Sequence, residues 1–164
     1  MATFLTDSEI AGFIAEPKQL PPDWRNRVKL KPKHGHYERE LDITGENGSK
    51  FRVVMRQTIA NSLDFSVILG LLVPKTNQVF RLMRFNGKSH EHTNKIEGTR
   101  FYDFHIHRAT ERYQKDGYDE ESYAEVTDRY SSFEEALETL ILEGGFVRPL
   151  KPQMDLDFDE GGSP

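Results

Sequence analysis

The sequence predicts an α+β fold: an antiparallel sheet of about five strands flanked by an N-terminal and a C-terminal helix. Three observations carry this expectation. The centre of the chain alternates apolar and polar residues with period two, both ends carry helix-start signals ahead of apolar stripes, and no internal repeat or long linker interrupts the order.

At the N-terminal end, Thr6-Asp7-Ser8-Glu9 has capping-box spacing, with Thr6 as N-cap and Glu9 reaching back. Ile10, Phe13 and Ile14 follow as a stripe and Pro17 ends it, so a short helix is expected over Asp7 to Ala15. Leu20-Pro21-Pro22-Asp23-Trp24 reads as a turn-rich connector, and the basic stretch Lys29-Leu30-Lys31-Pro32-Lys33 as extended chain or a solvated loop.

In the first expected strand Tyr37, Arg39, Leu41 and Ile43 alternate with Glu38, Glu40 and Asp42. Thr44 to Ser49 is a turn, and Phe51, Val53 and Met55 then alternate with Arg52 and Arg56. The pair reads as a hairpin whose outer face sets acids against arginines. Phe65 to Val73 is apolar on both faces, as a central strand would be. Val79 to Phe85 and Phe101 to Arg108 are the fourth and fifth strands. Ser132-Phe133-Glu134-Glu135 is a second capping box, and Phe133, Ala136, Leu137, Leu140 and Ile141 give a helical stripe that Gly144-Gly145 stops.

At 164 residues the chain suits one domain, here expected over residues 1–150, with an acidic, flexible tail over 151–164. It has no cysteine, which excludes disulfides, a thiol nucleophile and thiolate metal sites, and fits a reducing, cytoplasmic setting. The N-terminus lacks a basic region followed by an apolar run, so no signal peptide is expected. The apolar stretch Val67 to Val73 is too short to span a bilayer. A net charge of −5 argues against non-specific coating of DNA but leaves room for a local basic groove.

All six histidines occur as His-x-His pairs: His34-Gly35-His36, His90-Glu91-His92 and His105-Ile106-His107. On a strand, residues two apart share a face. In Tyr102 to His107 the set Tyr102, Phe104 and Ile106 reads as the core side, which places Asp103, His105 and His107 on the outer face or in a cleft. A carboxylate beside two imidazoles suits acid–base chemistry, with Asp103 as orienter, and also suits a divalent metal held by Asp103, His105 and His107. Such a face is also often no more than a wetted one. Arg84, Lys88, His90 and His92 lie on or beside one loop. Folded over the fifth strand, it would form a second wall of histidines, with Arg84 and Lys88 as anion binders. The His34 pair flanks a glycine and reads as a solvated turn.

The stretches Leu63 to Gly70, Arg84-Phe85-Asn86-Gly87-Lys88-Ser89-His90-Glu91-His92-Thr93-Asn94, Phe101 to His107, Ala109-Thr110-Glu111-Arg112-Tyr113 and Thr127-Asp128-Arg129-Tyr130 together resemble a family of small bacterial proteins of unknown function. The resemblance spans about Phe51 to Leu142, and it implies no activity, substrate or catalytic residue. The two Thr-acid-Arg-Tyr segments are explained equally well by local capping or ion pairs.

Three functions follow as expectations. The first is a metal-independent phosphate or nucleic-acid-processing site, RNase-like, with His105 and His107 as acid and base and His90 and His92 beside them. The second is a non-catalytic binding module, such as the inhibitor of a two-gene defence or toxin–antitoxin system, whose acidic tail docks on a basic protein. The third is a metal-binding protein. No membrane partner is expected.

Overall fold

A computed structural model describes residues 3–150. The acidic tail expected over 151–164 lies outside the described residues.

The first helix, α1 (Asp7–Ala15), carries the expected capping box in full: the Thr6 side chain accepts from Glu9 N–H, and the Glu9 carboxylate accepts from Thr6 N–H. The proline-rich connector holds a two-residue strand, β1 (Lys18–Gln19), and a single turn, α2 (Trp24–Arg27). Then follow β2 (Lys31–Lys33), β3 (His36–Thr44), β4 (Lys50–Thr58), β5 (Phe65–Leu72) and β6 (Val79–Asn86). A small hairpin of β7 (His92–Asn94) and β8 (Thr99–Phe101) precedes β9 (His105–Arg108). The chain closes with α3 (Glu111–Lys115), β10 (Ala124–Val126), α4 (Phe133–Glu143) and β11 (Phe146–Val147).

The main sheet is antiparallel with seven strands, in the order β10-β9-β6-β5-β4-β3-β2. The count exceeds the expected five because both edges are three-residue strands, β2 and β10, too short to show periodicity. β5 is the central strand, as its two-sided apolar pattern implied. The acid–arginine hairpin is in register, with Glu38 opposite Arg56 and Asp42 opposite Arg52, and Arg52 Nε donates to Asp42 at 2.7 Å. The expected fifth strand is divided. Thr99 to Phe101 pairs with β7 in the small hairpin, and only His105 to Arg108 joins the main sheet, so Tyr102 is half-exposed rather than in the core.

One face of the sheet is apolar. Phe51, Val53, Met55, Phe65, Val67, Leu69, Phe85 and Ile106 lie on it, fully buried. Both terminal helices pack against this face, α4 on β5 and β6, and α1 through an edge-to-face contact of Phe13 with Phe51. Among the described residues no helix is long and apolar enough to cross a membrane. α4 is capped by Ser132, whose side chain accepts from Glu135 N–H, but the Glu135 carboxylate reaches back to Ser131 rather than Ser132.

The other face carries polar rows straight across the strands. Arg56, Ser66, Asn86 and His105 are successive cross-strand partners, and beside them Arg84 stands opposite His107. Tyr130 supports the second half of the first row from beneath, its hydroxyl lying 2.7 Å from the carbonyl of Asn86 and 2.9 Å from that of His105.

The N-terminal and C-terminal segments of the described residues meet at Lys18. β1 pairs in parallel with β11, and the three hydrogens of the fully buried Lys18 ammonium are shared among the carbonyls of Phe13, Ile14, Glu16 and Gly144, all within 3.0 Å. It thereby serves the otherwise unpaired carbonyls at the C-terminal ends of α1 and α4 together. Burial lowers its pKa to about 8, against which the Glu16 carboxylate acts to raise it. The Glu16 carboxylate accepts in turn from Asn47 and Ser49 N–H in the β3–β4 turn. Lys18→Met keeps the volume but leaves these carbonyls without a donor, and it is expected to cost about 3 kcal/mol in urea unfolding. A loss below about 0.5 kcal/mol, the range of an ordinary surface change, would show that the ammonium is not needed.

Candidate functional site

β6 and β9 are neighbours in the sheet, yet the β7–β8 hairpin lies between them in sequence. The hairpin therefore folds back as a flap over the polar face beside β9. Gly87 allows the exit from β6, because a Cβ there would lie 1.9 Å from the Leu63 carbonyl oxygen. Under the flap the histidines meet. The His92 ring lies 5.0 Å from that of His107 and 5.6 Å from that of His105, and His105 and His107 are 4.9 Å apart. The exposed His90 stands edge-on to His105 at 5.7 Å.

The His105 and His107 face is thus a covered cleft, the second of the two settings that strand alternation left open. His105 is fully buried and His107 is 7% exposed. A polar residue on the outer side of a strand reads as wetted until a separate element covers it, and the covering hairpin has no alternation of its own to reveal it.

Each of three imidazoles has one nitrogen committed as a donor. His105 Nδ1 lies 2.7 Å from the Asp103 backbone carbonyl, and His107 Nδ1 lies 2.7 Å from that of Glu121. A carbonyl oxygen only accepts, so both Nδ1 atoms carry hydrogen. His92 Nε2 lies 2.8 Å from Asn94 Oδ1, which also accepts from Ala124 N–H. That second bond fixes the amide orientation, so His92 Nε2 is also a donor. In the neutral rings His92 Nδ1, His105 Nε2 and His107 Nε2 keep their lone pairs. Among the described residues His105 Nε2 is the buried side-chain polar atom with no hydrogen-bond partner. One ring nitrogen from each of the three histidines falls within 4.8 Å of the others.

Burial holds the His105 and His107 rings neutral. It is the main cause lowering His105 to about 4, against a raising contribution from its bond to Asp103, and His92, His90 and Arg84 lower it further. His107 is lowered to about 3, again mainly by burial, then by His105 and His92.

The other expected site residues stand around the cluster with partners of their own. Asp103 orients His105 through its backbone carbonyl, while its half-exposed carboxylate lies 3.8 Å from Lys88 Nζ. His92 takes the place beside His105 and His107 that Asp103 was expected to fill. Arg84 donates from Nε to Asn86 and from Nη1 to the Glu121 carboxylate. His34, with φ of 39°, and Gly35 form the β2–β3 turn, and His36 bonds Glu38 at 2.8 Å on β3, across the sheet from β9. The Thr-acid-Arg-Tyr segments prove to be caps and props: Thr110 caps α3, and Thr127 accepts from Arg129 N–H ahead of Tyr130.

Sequence reasoning missed Asn94 and Glu121. Asn94 is 4% exposed, with Oδ1 accepting from His92 and Ala124 and Nδ2 donating to Thr99 and to the Ala124 carbonyl. Its signal was present, two residues after His92 and so on the same side of β7. Glu121 acts through a backbone carbonyl, which no side-chain pattern announces. A cleft of about 400 Å³ opens beside the histidines, lined among others by Arg84, His90, His92, His107 and Glu121.

Because both folded pKa values lie below the ordinary 6.5, the unfolded chain binds more protons between about pH 6.5 and 4. Stability in the presence of chelator is therefore complete above that window and falls as pH drops through it, by up to about 1.4 kcal/mol per pH unit per histidine. Urea unfolding of wild type and His107→Gln across this range tests it: the wild type should lose stability more steeply, and parallel profiles would refute buried neutral histidines. Compared with known proteins, the chain matches no family model, no curated protein and no solved structure, which leaves the site's own geometry as the ground for its function.

Proposed function

We propose that this chain is a metal-binding protein whose centre is formed by His92, His105 and His107, with a further coordination position open to the cleft. The observation that carries the reading is the set of three imidazoles, each with one nitrogen fixed as a donor to an amide or carbonyl oxygen and the opposite nitrogen free. That is the outer-shell pattern of ligating histidines, in which a hydrogen bond on one nitrogen sets the tautomer and aims the other. The neutral His105 and His107 rings need give up no proton to bind. Three nitrogen donors with no thiolate favour zinc or another borderline divalent ion, and a three-histidine set with an open position is the catalytic rather than the structural form. Small ring movements from the present spread of 4.8 Å would bring the nitrogens to the roughly 3.3 Å set by metal–nitrogen bonds of about 2.05 Å. An ion in the open position would polarise a bound water or a substrate oxygen.

The acid–base reading, in which His105 and His107 share proton transfer on a phosphodiester, has less support. It requires one of the pair to be an imidazolium near neutral pH, and burial pushes both the other way. The inhibitor reading rests on the acidic balance of the chain and on its tail, which lies outside the described residues.

Purified protein is expected to hold one divalent ion per chain by elemental analysis, and metal-free protein to take up Co²⁺ with the visible absorption of a nitrogen-ligated site. His92→Ala and His105→Ala should abolish stoichiometric uptake. Asn94→Ala, which removes the amide that aims His92 and fastens the β7–β8 hairpin to Ala124, should weaken it by at least about 10–100-fold. Circular dichroism of each variant separates metal loss from unfolding. A folded wild type that takes up none of Zn²⁺, Co²⁺, Ni²⁺ or Fe²⁺ would overturn the reading.

A further inference from the structure

A second concavity adjoins the histidine cleft and shares Arg84, Asn86 and His90 with it. Its volume is about 170 Å³, too small for a nucleobase with its sugar and sufficient for one tetrahedral anion. Its floor is polar where a sheet this well covered on its other face has no packing need for polarity. Ser66 on β5 is 5% exposed, lines the pocket and sits between Arg56 and Asn86 in the cross-strand row. Arg56, on the neighbouring strand, has no carboxylate within ion-pair distance among the described residues, though Glu38 lies opposite it in register. Glu38 is engaged instead by His36 at 2.8 Å and Lys33 at 3.7 Å. Arg84, on the third strand, keeps Nη2 free after its bonds to Asn86 and Glu121. Asp64 also lines the pocket, its carboxylate accepting from the Ser89 hydroxyl. Arg84 is already paired with Glu121, so the guanidinium that brings unpaired positive charge to the pocket is that of Arg56.

We propose that the Arg56–Ser66–Arg84 pocket is an oxyanion subsite that holds a phosphoryl group, presenting the rest of the ligand to the trihistidine centre. The donors come from three adjacent strands, so they span about 10 Å along one wall of the pocket. A phosphoryl group offers three oxygens to such an arrangement, whereas a carboxylate offers two in one plane. The Cα of His105 lies one further strand along the same row, about 5 Å beyond Asn86. A phosphate seated over Ser66 therefore places the bonds next to it toward the centre, and the ligand class is a small phosphorylated compound. The role as substrate rests on the metal reading given above; the anion site does not.

The test is calorimetric titration of inorganic phosphate into the full chain, with metal content measured in parallel and acetate as control. Wild type should bind phosphate at one saturable site. Arg56→Gln, an exposed position, should weaken it about tenfold or more, as loss of a charge-assisted contact does, and Ser66→Ala by a smaller factor, both with metal content unchanged. Absence of saturable phosphate binding, equal binding by Arg56→Gln and Ser66→Ala, or acetate binding as tightly as phosphate would each overturn the subsite. Phosphate binding that vanishes in His92→Ala and survives in Arg56→Gln would place the anion on the metal and overturn it as well. Phosphate binding without metal uptake would retain the subsite and refute the trihistidine centre, and metal uptake without phosphate binding the reverse.

Discussion

The Asn94 side chain ties together the parts of the molecule that matter for chemistry. Its amide oxygen takes hydrogens from His92 Nε2 and Ala124 N–H, and its amide nitrogen gives hydrogens to Thr99 and the Ala124 carbonyl. Those contacts close the β7–β8 hairpin on itself, fasten it to the edge strand β10 and choose the tautomer of His92. A buried amide in this position is stable because each of its hydrogen-bonding groups is satisfied, and for the same reason it tolerates no alternative orientation. The covering of His105 and His107, and hence their neutrality, follows from the hairpin being held in place.

The sheet has two chemically separate faces, and the division of labour follows from that. The apolar face, with both terminal helices on it, supplies the burial that stabilises the fold. Lys18 joins the ends of those helices to the β3–β4 turn through Glu16. The polar face is relieved of that task and can hold rows of arginine, serine, asparagine and histidine. Tyr130 reaches between the layers, with its ring packed among Phe65, Phe85 and Phe104 and its hydroxyl at the carbonyls of Asn86 and His105. A movement in the core beneath those strands would be felt at the histidines through it.

What could be read in the sequence was whatever repeats with the period of its own element. The β3–β4 hairpin and its acid–arginine pairs, the central place of β5, the box at Thr6 and the stripe of α4 all have that character. Edge strands of three residues do not, nor does a flap whose side chains are set by the surface it covers. Four histidines coming under one roof was a conditional inference from the loop after Asn86, and the structure does bring His90, His92, His105 and His107 together. The orienting groups were illegible because two of the three are backbone carbonyls, those of Asp103 and Glu121. Asp103 drew notice for its carboxylate, and it acts through the one atom that every residue has.

Nearly everything that shapes the histidine cluster lies between Arg84 and Tyr130. The ring-bearing residues themselves fall within the single stretch His92 to His107, and their hydrogen-bond partners Asn94, Asp103 and Glu121 lie inside or shortly after it. The loops that must close to assemble the cluster are therefore short, and their entropy grows only slowly with length. The corner of the molecule that holds the imidazoles is a region of low contact order, whereas joining β1 to β11 needs residues from opposite ends of the chain. The cluster can form early, around local contacts, and the union of the termini at Lys18 can come last.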